Sequence, residues 1–183
     1  MLPDKSMNST LIDRVTTLAQ SGHHADAIQI WSEAQNMDPA EPSGLFVLAS
    51  LLIENNAAAA ACEVFERVLS AAPAYHVCRY QYGFLLVNLG DLPAALRQFE
   101  YLEEQIDLPN FLTHFTKGFC VLLRNDDTDS AINLFRQGIE SNVSIEEINL
   151  DIQHIIDLLR PEDAEFKTGL NHSLLLNVYN NHD

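Results

Sequence analysis

Small and aromatic residues recur in this chain at a spacing of 34 residues, and this register constrains the fold more than any other feature. Two series keep the spacing, one of alanines and one of aromatics four positions later: Ala27, Ala61 and Ala95, then Trp31, Phe65 and Phe99. A further copy, Ala131 and Phe135, follows with two extra residues. Such a period is typical of arrays of helix pairs, in which each pair stacks on its neighbours to bury an apolar flank.

Each copy of the period also has a fixed internal order. A small residue is followed by an aromatic four positions later, a small or apolar residue three after that, and a proline near the end. The first two copies follow this order: Ala27, Trp31, Ala34 and Pro39, then Ala61, Phe65, Val68 and Pro73. The chain thus resembles the tetratricopeptide repeat family. The resemblance implies an all-α fold, an α-solenoid of about four helix-turn-helix repeats plus C-terminal capping helices.

Counting from the register divides the chain into segments. We predict a frayed lead-in at 1–7 and a tetratricopeptide repeat array over residues 8–143, with repeats at 8–41, 42–75, 76–111 and 112–143. A capping helix follows at 144–160, and an extra helix or tail follows at 161–183. Gly22, Gly90 and Asn125 mark turns between the first helix (A) and the second helix (B) of a repeat. In each repeat, the small residue of helix B lets helix A approach closely.

The C-terminal segments carry helical patterns. Ser144 and Glu147 form a capping box, and an aliphatic stripe follows at helical spacing through Ile148, Ile152 and Ile155. This pattern predicts a closing helix that covers the last repeat and ends before Pro161. The tail after it predicts an extra helix. That helix could pack on the closing helix, fold into the groove of its own array, or pair with another copy as a homodimer.

Composition favours a globular, cytoplasmic chain that binds no nucleic acid. Hydrophobic residues make up 47% of the sequence and the formal net charge is −16, and such a surface repels a phosphate backbone. The sequence contains no run of about 18 consecutive apolar residues. Its start also lacks a basic stretch followed by an apolar block. We therefore expect no membrane span and no secretory signal.

Residues that could carry chemistry are dispersed along the chain. Cys62, Cys78 and Cys120 lack the C-x-x-C spacing, which predicts free buried thiols, and His23 and His24 occupy a turn. The sequence contains neither a glycine-rich phosphate loop nor a nucleophile elbow. We therefore predict a protein that is not an enzyme, with no catalytic residues, no metal site and no cofactor.

The resemblance implies a peptide-binding groove on the inner, concave face of the A helices. The corresponding positions are mostly apolar on the second and third A helices, where they include Val47, and they carry two cations on the fourth. The candidate partner-binding residues are Phe46, Ser50, Ile53, Val77, Tyr80, Gln81, Phe84, Val87, Asn88, Lys117 and Arg124.

Roles within this groove follow from residue type. Tyr80 and Phe84 are the expected anchors, and Ser50, Gln81 and Asn88 are expected to bond the backbone of the partner. An alternative is that the aromatics, together with Val87, are ordinary core, because the A helix of an inner repeat contacts both its own partner helix and the next repeat.

The functional prediction is a non-catalytic protein–protein interaction module that binds an extended or helical peptide segment in an apolar concave groove. A weaker resemblance is to the cytoplasmic chaperones of bacterial type III secretion, which are also short, acidic, all-helical repeat proteins and hold translocator segments. Further alternatives are a structural scaffold subunit and a homodimeric regulator that uses the C-terminal tail.

Overall fold

The computed structural model describes residues 5–35, 38, 41–143 and 146–159, with the side chains of residues 5–10, 12, 35, 146 and 147 left outside the description. Within these ranges the secondary structure is α-helical and contains no strand. Nine helices lie in the described part of the chain: α1 Lys5–Gln20, α2 His24–Gln35, α3 Pro42–Glu54, α4 Ala58–Ala71, α5 His76–Asn88, α6 Leu92–Glu103, α7 Asn110–Asn125, α8 Thr128–Ser141 and α9 Glu146–Leu159.

The helices form two compact units. Unit 1 comprises residues 1–78 and unit 2 comprises residues 79–183, so that the division falls in the first turn of α5. The predicted all-α class is confirmed over the described residues. One boundary differs, because α1 begins at Lys5 within the segment expected to be a frayed lead-in. No glycine or proline lies between Lys5 and Gln20, so nothing in the sequence stops the helix from starting there.

Each A–B turn contains one residue with a left-handed backbone. These residues are Gly22 (φ 82°), Asn56 (φ 58°), Gly90 (φ 78°) and Asp126 (φ 53°). Glycine adopts this conformation without a Cβ clash, and asparagine and aspartate are the side chains that tolerate it best. Their positions repeat with the spacing of the helix B alanines, including the two-residue shift before the last copy. The register therefore fixes the turns as well as the packing.

In unit 1 the two helix pairs are α1 with α2 and α3 with α4, and the first pair also contacts the second. Ala27, Ala61 and Phe65 are buried, as the packing series predicts. The indole Nε1 of Trp31 donates a hydrogen bond of 3.1 Å to the carbonyl oxygen of Gly44, which joins α2 to α3. This bond gives the polar edge of a buried aromatic ring its partner.

In the α7–α8 pair of unit 2, two glycines lie opposite phenyl rings. Gly118 on α7 faces Phe135 on α8, and Gly138 on α8 faces Phe115 on α7. Each glycine leaves space that the opposing ring fills, so α7 and α8 interlock in both directions. The two glycines therefore allow a close approach of the A and B helices of the fourth repeat.

The closing helix α9 packs on α8. Its predicted aliphatic stripe is buried, with Ile148, Ile152 and Ile155 all in the core of unit 2. A pair of asparagines joins the two helices, since Asn142 Nδ2 donates to Asn149 Oδ1 (2.9 Å) and Asn149 Nδ2 donates to the Asn142 carbonyl (3.2 Å). The predicted capping-box side chains and the tail 161–183 lie outside the described residues.

Candidate functional site

The inner positions of α3 form an accessible surface on unit 1, which we call the α3 face and define as Phe46, Val47, Ser50 and Ile53. Val47 is 49% exposed, and the other three side chains are half-buried. The face exists because α3 directs its other stripe, which includes Leu45, Leu48 and Leu52, into the core.

An aromatic pair supports one end of the α3 face. The Phe46 ring lies 5.1 Å from the Tyr75 ring and 6.3 Å from the Phe65 ring, measured between centroids. Burial raises the pKa of the Tyr75 phenol, and Cys78 and Glu41 raise it further. The phenol therefore stays protonated at neutral pH and can donate a hydrogen bond beside an apolar surface. Val77, another predicted groove residue, is half-buried two positions later.

Four predicted groove residues on α5 are core residues of unit 2, which is a correction to their expected exposure. Tyr80 is 2% exposed, Phe84 is 6% exposed, and Val87 and Asn88 are also buried. The physical cause is an aromatic cluster. The Tyr80 ring lies 6.0 to 6.5 Å from four other rings, those of Phe84, Phe99, Phe115 and Phe119. For these positions the structure favours the packing alternative.

Three polar side chains in the same region of unit 2 are buried without a hydrogen-bond partner in the described part of the chain. They are the Tyr80 hydroxyl, both amide atoms of Asn88, and Thr116 Oγ1. Burial raises the pKa of Tyr80 well above its usual value, and the carboxylate of Asp151 adds to this effect. An unpaired buried polar group costs about 1–3 kcal/mol, so this region of unit 2 is not optimised for stability.

The two predicted cations differ in availability. Lys117 is exposed, whereas Arg124 is held by two carboxylates on α6. Its guanidinium Nη1 lies 2.8 Å from Glu103 Oε2, and its Nη2 lies 3.1 Å from Glu100 Oε1. The hydrogen bonds to Glu103 and Glu100 raise the pKa of Arg124. Arg124 therefore already has anionic partners within the chain. Gln81 is half-buried on α5.

The three cysteines are free, with Cys78 and Cys120 buried and Cys62 half-buried. Burial raises the pKa of the Cys120 thiol to about 12, to which Glu103 also contributes. Such a thiol is a poor nucleophile at neutral pH. Over the described ranges, no cluster of three His, Cys, Asp or Glu side chains could hold a metal ion. None of the described helices is both long and apolar enough to cross a membrane.

Comparison with known families identifies the repeat. Residues 12–76 match the family model described as the tetratricopeptide repeat. The resemblance inferred from the register is thereby confirmed over residues 12–76. Repeats of this family generally mediate protein–protein interaction and are typically non-catalytic. No curated protein sequence matches the chain.

Val47 is the exposed residue that the sequence indicates least directly. The register places it on the inner face, but Tyr80 and Phe84 are larger and aromatic and are therefore the stronger candidates from sequence. Val47 follows Phe46 in the same turn of α3, and its exposure depends on which neighbours cover that turn. The sequence signal that could have favoured it is its place in a helix with no polar residue between Gly44 and Ser50.

Proposed function

We propose that the protein is a non-catalytic interaction module whose α3 face binds an apolar segment of a protein partner. The observation that carries this proposal is the exposure of Val47, which at 49% is high for a valine within the apolar stretch of a packed helix. In this family the inner face of the A helices is where peptides usually bind, and Val47 occupies such a position.

The neighbouring side chains suit an apolar peptide segment whose backbone N–H groups need hydrogen-bond acceptors. Phe46 and Ile53 offer half-buried apolar surface on either side of Val47 along α3. The Ser50 hydroxyl donates to the Phe46 carbonyl at 3.2 Å, which leaves its oxygen lone pairs free to accept a backbone N–H. A partner that inserts aliphatic side chains here removes apolar surface from water, which favours binding by about 25 cal/mol per Å².

The test compares two matched substitutions in affinity purification from the source organism with quantitative mass spectrometry. Val47→Asp places a charge on the α3 face, whereas Ile106→Asp makes the same change in charge at a loop residue that is 94% exposed. We expect a partner that copurifies with the wild type to be lost with Val47→Asp and kept with Ile106→Asp. Loss with both variants, or with neither, contradicts the proposal.

The chaperone role is a narrower form of the same proposal, in which the apolar segment belongs to a secreted translocator. Co-expression with candidate translocators tests it directly. The wild type should keep such a client in the soluble fraction, and Val47→Asp should not. A client that stays insoluble with the wild type removes the chaperone role and leaves the interaction module in place.

A further inference from the structure

Unit 1 has a second open surface, distant in sequence from the α3 face. A groove of about 620 Å³ lies between α1 and α2, and we call it the edge groove. Arg14 and Leu18 line it from α1, and Asp26 and Ile30 line it from α2. Leu18 and Ile30 are only half-buried, and the two charged residues are exposed.

The next repeat of the same unit shows what usually covers such a surface. One register of 34 residues later, the positions of Arg14, Leu18, Asp26 and Ile30 are occupied by Leu48, Leu52, Ala60 and Val64. All four of these residues are buried, and the first helix pair packs against the second. The edge groove is therefore a stacking face of the first pair that the described helices leave open.

The charges on this face distinguish it from its buried counterpart. A cation stands where the next repeat has Leu48, and an acid stands where it has Ala60. Among the described residues, the structure shows no ion pair for Arg14 or for Asp26. A half-buried apolar floor thus carries one cation, Arg14, and two acids, Asp13 and Asp26, and the described residues show no ion pair for any of the three.

From this pattern we infer that two copies of the chain pack edge groove against edge groove. A twofold axis places the same surface on both sides of the interface, so that every contact between two residues of the two copies occurs twice, with the copies exchanged. One such axis lets Arg14 of each copy meet Asp26 of the other, and Leu18 and Ile30 fill the space between the two pairs. Each face carries both signs, so that Arg14 of each copy can neutralise an acid of the other, which favours a second copy over a purely apolar partner.

The inference is tested on the full chain by sedimentation equilibrium and light scattering. The wild type should be a dimer, and Arg14→Glu or Asp26→Arg alone should each weaken the dimer at least about 100-fold, because each places like charges together twice. An equimolar mixture of the two variants should form a heterodimer, since both opposite-charge pairs are then restored. The double variant R14D/D26R should likewise recover a homodimer.

Controls separate the edge groove from other causes. Arg67→Glu reverses a charge at an exposed position on α4, and it should leave the dimer intact, as should deletion of residues 161–183. Circular dichroism checks that the variants remain folded. A monomeric wild type at every accessible concentration overturns the inference, as does a dimer that survives Arg14→Glu alone and also survives Asp26→Arg alone. A dimer lost with the tail deletion instead assigns the interface to the tail and also overturns it.

Discussion

The ring of Phe135 on α8 occupies the space that a side chain would fill at Gly118 on α7, because a Cβ added at Gly118 would lie 2.5 Å from Phe135 Cε1. Phe115 has the same relationship to Gly138 in the opposite direction. Each helix places an aromatic ring where the other has a glycine, and this packing holds the two helices at a short, fixed separation.

Gly118→Ala should therefore destabilise the protein although alanine is the better helix former. Overpacking of a close contact costs about 1–3 kcal/mol, whereas replacing glycine within a helix gains about 1 kcal/mol. We expect a net loss of about 1 kcal/mol in urea unfolding followed by circular dichroism. Gln137→Ala, at an exposed position on α8, is the control and should be near neutral. The same substitution is then made in a Phe135→Leu background. If Gly118→Ala costs as much there, relative to Phe135→Leu alone, as it does in the wild type, the clash is not the cause.

Removal of unpaired hydroxyls from the core of unit 2 should stabilise the protein. Tyr80→Phe and Thr116→Val keep the side-chain shape and delete a buried polar atom that has no partner among the described residues. Each should raise the free energy of unfolding by about 1 kcal/mol. A loss of stability in both variants would show that these hydroxyls have partners in solution.

Alkaline pH should weaken the folded state partly through Cys120. Its pKa is raised from 9.0 to about 12 in the folded protein, so the unfolded chain loses this proton first. The stabilising contribution is complete below about pH 9 and falls as the pH rises toward 12. Unfolding measured from about pH 8 to 10 should show a shallower decline for Cys120→Ala than for the wild type. Equal slopes would mean that the folded thiol ionises normally.

The ion pairs of Arg124 should contribute little to stability because the groups are partly exposed. Arg124→Gln removes the contacts with Glu100 and Glu103 and should lower the free energy of unfolding by less than about 1 kcal/mol. The loss should shrink further at high salt, where surface charges are screened. A large loss that does not depend on salt would point to packing of the arginine stem instead.

The register predicted the packing positions well because they depend on contacts within a repeat. Ala61 and Phe65 in unit 1, and Ala95 and Phe99 in unit 2, are all buried. The extra two residues before the fourth copy also have a structural location. The helices α5 and α7 still begin 34 residues apart, at His76 and Asn110, but α7 has 16 residues where α5 has 13, so the extra residues lie in α7.

Exposure of the inner face was harder to predict because it depends on contacts between repeats. Phe46 and Tyr80 occupy the same register position, yet Phe46 is half-buried in unit 1 and Tyr80 is buried in unit 2. The difference arises from Phe115 and Phe119 on α7, whose rings lie against Tyr80. A periodic pattern specifies which face a residue occupies, but the size of the side chains on the next helix determines whether that face stays open.

Site-specific photocrosslinking tests the role of the α3 face most directly. The photoreactive amino acid p-benzoylphenylalanine is placed at Val47 and, as a control, at Ile106, and each protein is irradiated with the copurifying partner present. We predict a covalent adduct with one partner from position 47 and none with that partner from position 106. An adduct of equal yield from both positions, or from position 106 alone, would contradict the account.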